Sequence, residues 1–443
     1  MSASIIGSIG CVLAIIFMII AIFKGLHPLI AALIATVIAI VLNTAPIWDT
    51  LIKGYGSGMT GFIQNYIIMF FMGAMLGEFM TRSGFARSIA LKLVDVFGAK
   101  RGILVVTATT WVLSYSGVSV FVIIFAIYPI ALYVFQQSDI PKKIIPGVVN
   151  LGAGVLTMTM LPGSPALTNV IPTQYLGTTI YAAPVLGTIL AVIAAVLGLT
   201  YLNWQAKVWK DRGEHFVPGP NDEIEPITDE VRARTPKFIY AAIPILIIFF
   251  GNLIFTKRGM NSNAAVCLSL LIASLYIILL NWKKISNQDK LAGLNKAASS
   301  AIVAILNTSA IVGFAGAVKG FDSFQNFLNL AMSIHVSPLL SAVLAMDIIC
   351  GITASSSGGI AIFGELLGQH FLDMGVNAQQ LHRLTAVAAG TLDSLPHAGP
   401  NATFMSVCGL SYKEGYPPIF VITCIIPLIC QFIGVGLASL GVC

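Results

Sequence analysis

Apolar windows near the ~20 residues that an α-helix needs to cross a hydrocarbon core recur along nearly the whole of this 443-residue chain. That recurrence confines it to one class of fold. Inside lipid every backbone N–H and C=O must be satisfied by the protein itself, and windows of this length do so as helices rather than as barrel strands. With 57% hydrophobic and 9% charged residues and a mean hydropathy of +0.90, too little polar surface is left to cover a soluble domain. The expected fold class is an all-α polytopic membrane protein.

The first window, from Ser4 to Phe23, has no basic n-region and no small-residue cleavage site, so it reads as a retained span and not as a signal peptide. The seven cysteines contain no CxxC pair, and all but Cys443 fall in apolar windows, where cysteine behaves as a small hydrophobe. Neither a metal site, a disulfide framework nor a cofactor is indicated. The net charge of +6 resides in loops that can face anionic lipid headgroups, so it does not imply nucleic acid.

About ten spans and two hairpins are expected, in two lists with one grammar. The first list is 4–23, 27–43, 59–79, a hairpin at 101–135, an interrupted span at 144–178 and a span at 182–203. The second is 237–256, 262–281, 299–318, a hairpin at 336–371, an interrupted span at 384–409 and a span at 419–441. Each half also carries an amphipathic segment before its hairpin, Ser83 to Phe97 and Phe321 to Ile334. This is an internal repeat read from hydropathy: residues 1–203, a polar linker 204–236, and residues 237–443.

Loop charges set the expected orientation. With both termini outside, Lys53, Lys257, Arg258, Lys319 and Arg383 lie outside, and the remaining 19 of the 24 Lys and Arg residues face the cytoplasm. The count holds only if each hairpin returns to the side it came from, the first opening inside and the second outside. One half is then inverted relative to the other, a layout that lets a central site open alternately to the two sides.

Non-helical backbone at membrane depth survives only where protein or a water-filled cavity surrounds it. Two prolines around a glycine break the first interrupted span at Leu161-Pro-Gly-Ser-Pro-Ala-Leu-Thr-Asn169, leaving Ser164, Thr168 and Asn169 at the gap. The second breaks at Thr391-Leu-Asp-Ser-Leu-Pro-His-Ala-Gly-Pro-Asn401, leaving Asp393, Ser394, His397 and Asn401. The hairpin tips, Ser114-Tyr-Ser-Gly-Val-Ser119 and Thr353-Ala-Ser-Ser-Ser-Gly-Gly359, add Ser116, Ser119, Ser355, Ser356 and Ser357.

Helix N-termini at such breaks suit a carboxylate, and C-terminal carbonyls suit a cation. No Arg or Lys falls in the four segments, which favours a small monocarboxylate over a multiply charged anion. Ionisable groups in the membrane are costly and read as functional, which singles out Asp393, His397 and Asp347 for proton coupling. A histidine, with an ordinary pKa of ~6.5, changes charge in the physiological range.

Plainer readings stand beside these. Membrane hydroxyls commonly bond back to their own turn, and Pro129, Pro184 and Pro244 read as simple kinks. His370 and His382 are placed near the outer surface without function, and the charged run Glu214 to Arg234 reads as a solvated cytoplasmic loop. An intramembrane enzyme would need a nucleophile with a base or a metal cluster, but neither HExxH nor CxxC occurs, and the serines at the hairpin tips have no histidine in the same segment. A channel would not require two inverted halves with a hairpin in each.

The Gly163-Ser-Pro-Ala-Leu-Thr-Asn169 run, the Ala354-Ser-Ser-Ser-Gly-Gly359 tip, Leu392-Asp-Ser-Leu-Pro-His-Ala-Gly-Pro-Asn401 and Cys408-Gly-Leu-Ser-Tyr-Lys-Glu414 together resemble the gluconate permease family of the ion transporter superfamily, especially its 3-hydroxybutyrate permease-like branch. The resemblance covers essentially the whole chain. It implies a proton-coupled symporter for a small hydroxy- or sugar-acid anion in the bacterial inner membrane. It further implies a homodimer in lipid, with a scaffold and a transport domain moving as an elevator. Sodium-using members of the superfamily carry Ser-Asn-Thr at both breaks. Here Ser164, Thr168 and Asn169 stand in a different order, which leaves sodium-coupled di- or tricarboxylate symport as the alternative.

Overall fold

The computed structural model describes residues 3–333 and 336–443. Among these the chain is almost wholly helical, with no strand, and nine helices are long and apolar enough to cross a membrane. It is a multi-pass membrane protein. The first half runs α1 (Ala3–Phe23), α2 (Pro28–Leu42), α3 (Ile47–Arg82), the amphipathic α4 (Phe85–Phe97), the pair α5 (Gly102–Tyr115) and α6 (Val120–Ser138), then α7 (Lys142–Met160), α8 (Leu167–Leu176) and α9 (Pro184–Asp211). The second runs α10 (Phe238–Lys257), α11 (Ser262–Leu280), α12 (Asn287–Lys319), α13 (Phe324–Met332), the pair α14 (Pro338–Thr353) and α15 (Ser356–Phe363), then α16 (Ala378–Ala389), α17 (Gly399–Cys408) and α18 (Tyr412–Ser439).

Several boundaries differ from the hydropathy reading. Helices α3 and α12 begin about a dozen residues before the apolar windows at 59 and 299, running helically through the less apolar stretches 47–58 and 287–298. Helix α9 continues through Asp211, so the linker begins at 212 rather than 204. Ile334, the end of the second amphipathic segment, lies outside the described residues.

Local chemistry sets many of the helix starts. Proline occupies the first turn of α2, α9, α14 and α17, where its missing N–H costs nothing. Side-chain caps from Ser337, Ser355 and Asn377 accept first-turn N–H groups of α14, α15 and α16.

The helices pack as two groups. In one, α3 and α12 form a central pair, with α2 and α1 stacked outward from α12, and α11 and α10 from α3. Small residues permit the close central crossing: a Cβ on Gly316 would lie 2.8 Å from Gly54 O, and such stripes are how membrane helices approach without a hydrophobic driving force. In the other group, α5 packs on α7 and α14 on α16, while α9 and α18 brace these from behind and α8 lies against α15 and α16. The groups meet where α3 touches α6 and α12 touches α17. That second group holds both helix breaks.

Candidate functional site

Helix α7 takes the wider π winding over Leu151–Met160, a departure that often marks functional segments, and then stops. Residues 161–166 run non-helically past Pro162 and Pro165 to α8. The freed backbone is satisfied by side chains. Ser164 Oγ accepts from Ala166 N at 3.2 Å, and Thr168 Oγ1 donates to Met158 O. Asn169 Nδ2 donates to Ser164 O and to Ile180 O, both at 2.8 Å. Ser164, Thr168 and Asn169 are all buried, so in this conformation they hold the break together and do not face an open gap.

The second break repeats the device. Residues 392–394 make one tight turn and α17 restarts at Gly399. Asn401 Nδ2 donates to Ser394 O and Leu395 O, both at 2.9 Å, and Tyr416 Oη donates to Ser394 O at 3.1 Å. Ser394 Oγ donates to Asp393 Oδ1 at 2.8 Å, while the hydroxyl and amide of Ser356 also reach that carboxyl. Asp347, on α14, takes hydrogen bonds from Thr391 Oγ1 and, at 2.6 Å, from Gln431 Nε2 of α18. His397 Nε2 lies 2.9 Å from Gly351 O, and its Nδ1 is buried without a partner.

Asp393 and His397 thus share a break without bonding each other. Each faces hairpin 2, one at Ser356 and the other at Gly351. No basic side chain pairs with Asp347 or Asp393 within 4.0 Å among the described residues.

At the tip of hairpin 1, Ser116 Oγ bonds back to Leu113 O at 2.7 Å, while Ser116 O accepts from Asn252 Nδ2 of α10. Gly117 turns the chain at φ +95°, where a Cβ would strike Asn252 Nδ2 and Pro165 Cγ. Ser119 precedes α6 without using its hydroxyl as a cap. At the tip of hairpin 2, Ser355 caps α15, Ser356 turns to Asp393, and Ser357 is half-buried. Ala354 makes this turn at φ 49°, a left-handed conformation that glycine tolerates better.

Three features depart from the sequence expectations. His382 and Arg383, placed near or outside the outer surface by their position before an apolar run, are 0% exposed. They reach across to the first break: Asn169 Oδ1 accepts from Arg383 Nη2 at 2.9 Å and lies 3.1 Å from His382 Nε2, whose Nδ1 is 2.6 Å from Thr178 Oγ1. The polar residues of α16 do not share one face, since Gln380 turns instead to Ala438 O and Val442 O at the end of the chain, so the register alone did not mark this contact.

Lys319, also assigned to an outer loop, ends α12 with its Nζ 3.1 Å from where a Cβ on Gly358 would sit, beside Ser355. The four segments contain no cation of their own, yet one is delivered to hairpin 2 by a neighbouring helix. Nothing local in the sequence predicts that contact.

The linker, finally, is not simply solvated. Asp222 is buried against Lys142 at 2.7 Å, with Tyr128 Oη 2.7 Å from its other oxygen. Glu223 pairs with Lys296 of α12, and Glu225 with Arg87 of α4. Tyr128, Lys142, Asp222, Glu223 and Lys296 wall a cavity of about 450 Å³ between α3, α6, α12 and the end of α17. Nearby, the hydrogen bond from His215, assisted by Lys210, holds the carboxyl of Asp139 down to about 2.

Among the described residues no three His, Cys, Asp or Glu side chains are grouped as metal ligands. The two breaks differ in composition, with amide and guanidinium at the first, and carboxyls at the second with Lys319 beside the adjoining hairpin.

Residues 5–391 match the model of the GntP family permeases. The chain is similar to an uncharacterized transporter, YxjC, of Bacillus subtilis (strain 168), 32% identical over 443 residues covering 91% of this chain and 93% of that protein. It is also similar to an uncharacterized transporter of Haemophilus influenzae, 24% identical over 401 residues covering 88% of each.

Proposed function

The chain belongs to the GntP permease family, and from that premise we propose that it is a proton-coupled symporter of a small hydroxy-monocarboxylate, 3-hydroxybutyrate- or gluconate-like. The observation that carries the proposal is the pair of buried carboxyls, Asp347 and Asp393, beside the second break with no basic partner within 4.0 Å among the described residues. A charge in that position needs a counter-charge. A proton arriving with the anion supplies it. His397, with Nδ1 unpartnered, is within the same break to receive or pass that proton.

Ser116, Ser119, Ser355, Ser356, Ser357 and Ser394, with the hydroxyls and amides of the first break, are the candidate solute contacts. In the conformation described, several are occupied by backbone, so solute binding on this reading exchanges those bonds.

An elevator cycle has its own support. Exchanging the two halves maps α1·α2 onto α10·α11, α2·α12 onto α11·α3, and α5·α7 onto α14·α16, as two related repeats require. The exchange fails where the groups meet, since α3 contacts α6 but α12 contacts α17. That asymmetry is what a one-sided state of an inverted-repeat transporter shows. On the family resemblance we take the protein to be a homodimer in the bacterial inner membrane, and on the loop-charge bias we orient it with both termini outside and the linker in the cytoplasm.

The solute assignment is tested by counterflow in proteoliposomes preloaded with unlabelled acid. Labelled 3-hydroxybutyrate or gluconate should exchange, with citrate neither moving nor competing. Exchange of citrate alone would replace the assignment with the tricarboxylate reading.

A further inference from the structure

We propose that Arg383 is the fixed positive charge that makes the first break select an anion, and that it acts as a positioning residue through Asn169. The inference rests on the solute class proposed above and says which break the carboxylate faces.

Arg383 is 0% exposed and carried by α16, yet every partner it has lies in the first half. Nε donates to Ala182 O at 3.2 Å, and Nη2 donates to Asn169 Oδ1 at 2.9 Å and to Ala182 O at 3.1 Å. Carbonyl and amide oxygens solvate a guanidinium but do not neutralise it. Among the described residues no carboxylate lies within the 4.0 Å of an ion pair with it, and its Nη1 is buried without a partner. A buried, unpaired cation in a membrane protein is expensive to keep and marks a function.

The charge is placed for use. Asn169, which receives it, stands in the first turn of the ten-residue α8, whose N-terminus adds partial positive charge at the same point. Asn169 also grips Ser164 O and Ile180 O, so the guanidinium fixes the amide that shapes the break. Tyr115, at the tip of hairpin 1, donates its Oη to Pro162 O at 2.8 Å, which ties that tip to the same break. The second break has the opposite character, with Asp347 and Asp393 buried there. The two breaks therefore polarise the site. The carboxylate of the solute turns to the first break, and the proton to the second.

The test compares 3-hydroxybutyrate with its neutral amide, 3-hydroxybutyramide, by transport and competition in proteoliposomes of wild type, R383K, R383Q and N169D. N169D sets a carboxylate against the guanidinium without removing it. Wild type should prefer the acid, and R383K should keep that preference. R383Q and N169D should raise KM for the acid about tenfold or more, a loss of ~1.4 kcal/mol per factor of ten, while inhibition by the amide changes little.

Equal loss of acid and amide in the folded variants would make Arg383 purely structural, and an unchanged KM for the acid in R383Q would remove it from the site. Should R383Q not fold, an unchanged acid preference in N169D overturns the proposal. Failure of wild type to bind the acid contradicts the solute assignment instead, so the two claims fail separately.

Discussion

At the residue scale the account turns on a few polar side chains that the membrane makes costly. Replacing Asp393 or Asp347 with Asn should abolish accumulation driven by a pH gradient while leaving solute exchange measurable by counterflow, because exchange returns each loaded carrier without net proton movement. Wild-type accumulation in both variants would remove the carboxyls from coupling. Lys319, set beside Ser355 at hairpin 2, should behave differently. K319Q is expected to raise KM several-fold with little change in maximal rate, measured by initial uptake, because the ammonium offsets the negative charge of the second-break carboxyls as the anion enters, while the first break orients the carboxylate.

The sequence made Asp393 and Asp347 legible because a carboxyl in an apolar window is conspicuous by itself. It misplaced His382 and Arg383 because hydropathy reads a charged pair before an apolar run as a loop. Only the fold shows that α16 carries them into the first break.

At the scale of elements, the breaks and hairpin tips were readable from proline, glycine and hydroxyl clusters, since these residues obstruct a continuous helix wherever they fall. What could not be read was how the breaks are held. Asn401 donates twice to the loop that precedes it, and Asn169 donates once to the loop before α8 and once to Ile180 O after it, a tertiary use of an amide that leaves no periodic trace.

The linker was likewise legible as polar but not as packed, because alternating charges look solvated until their partners on α4, α7 and α12 are known. The Lys142–Asp222 pair is nearly buried, with side chains 9% and 6% exposed, and removing one partner of such a pair costs roughly 3 kcal/mol. D222N should therefore lower the melting temperature of the purified protein markedly, and adding Lys142→Met should recover part of the loss. An unchanged melting temperature in D222N would show that the linker contact does not support the fold.

For the whole molecule, the sequence sufficed for the fold class, because span length is set by the bilayer. Which helices face one another is set by packing and had to be seen. The present arrangement joins α12 to α17 through Thr308 and Thr403, whose hydroxyls are 2.6 Å apart, and through Asn307 and Ser406 at 3.0 Å. In an elevator this contact must part once per cycle. A disulfide between T308C and T403C, on a background without the native cysteines, should block uptake and release it on reduction. Full uptake by the crosslinked protein would contradict the elevator.

The central claim is that a proton gradient drives a hydroxy-monocarboxylate through this protein. It is tested most directly by uptake of labelled 3-hydroxybutyrate into proteoliposomes, with a pH gradient or a sodium gradient imposed in separate runs. The account predicts accumulation with the pH gradient alone, abolished by a protonophore. Accumulation that follows only the sodium gradient and survives the protonophore would contradict it, and would move the coupling ion from Asp347 and Asp393 to a cation site at the helix breaks.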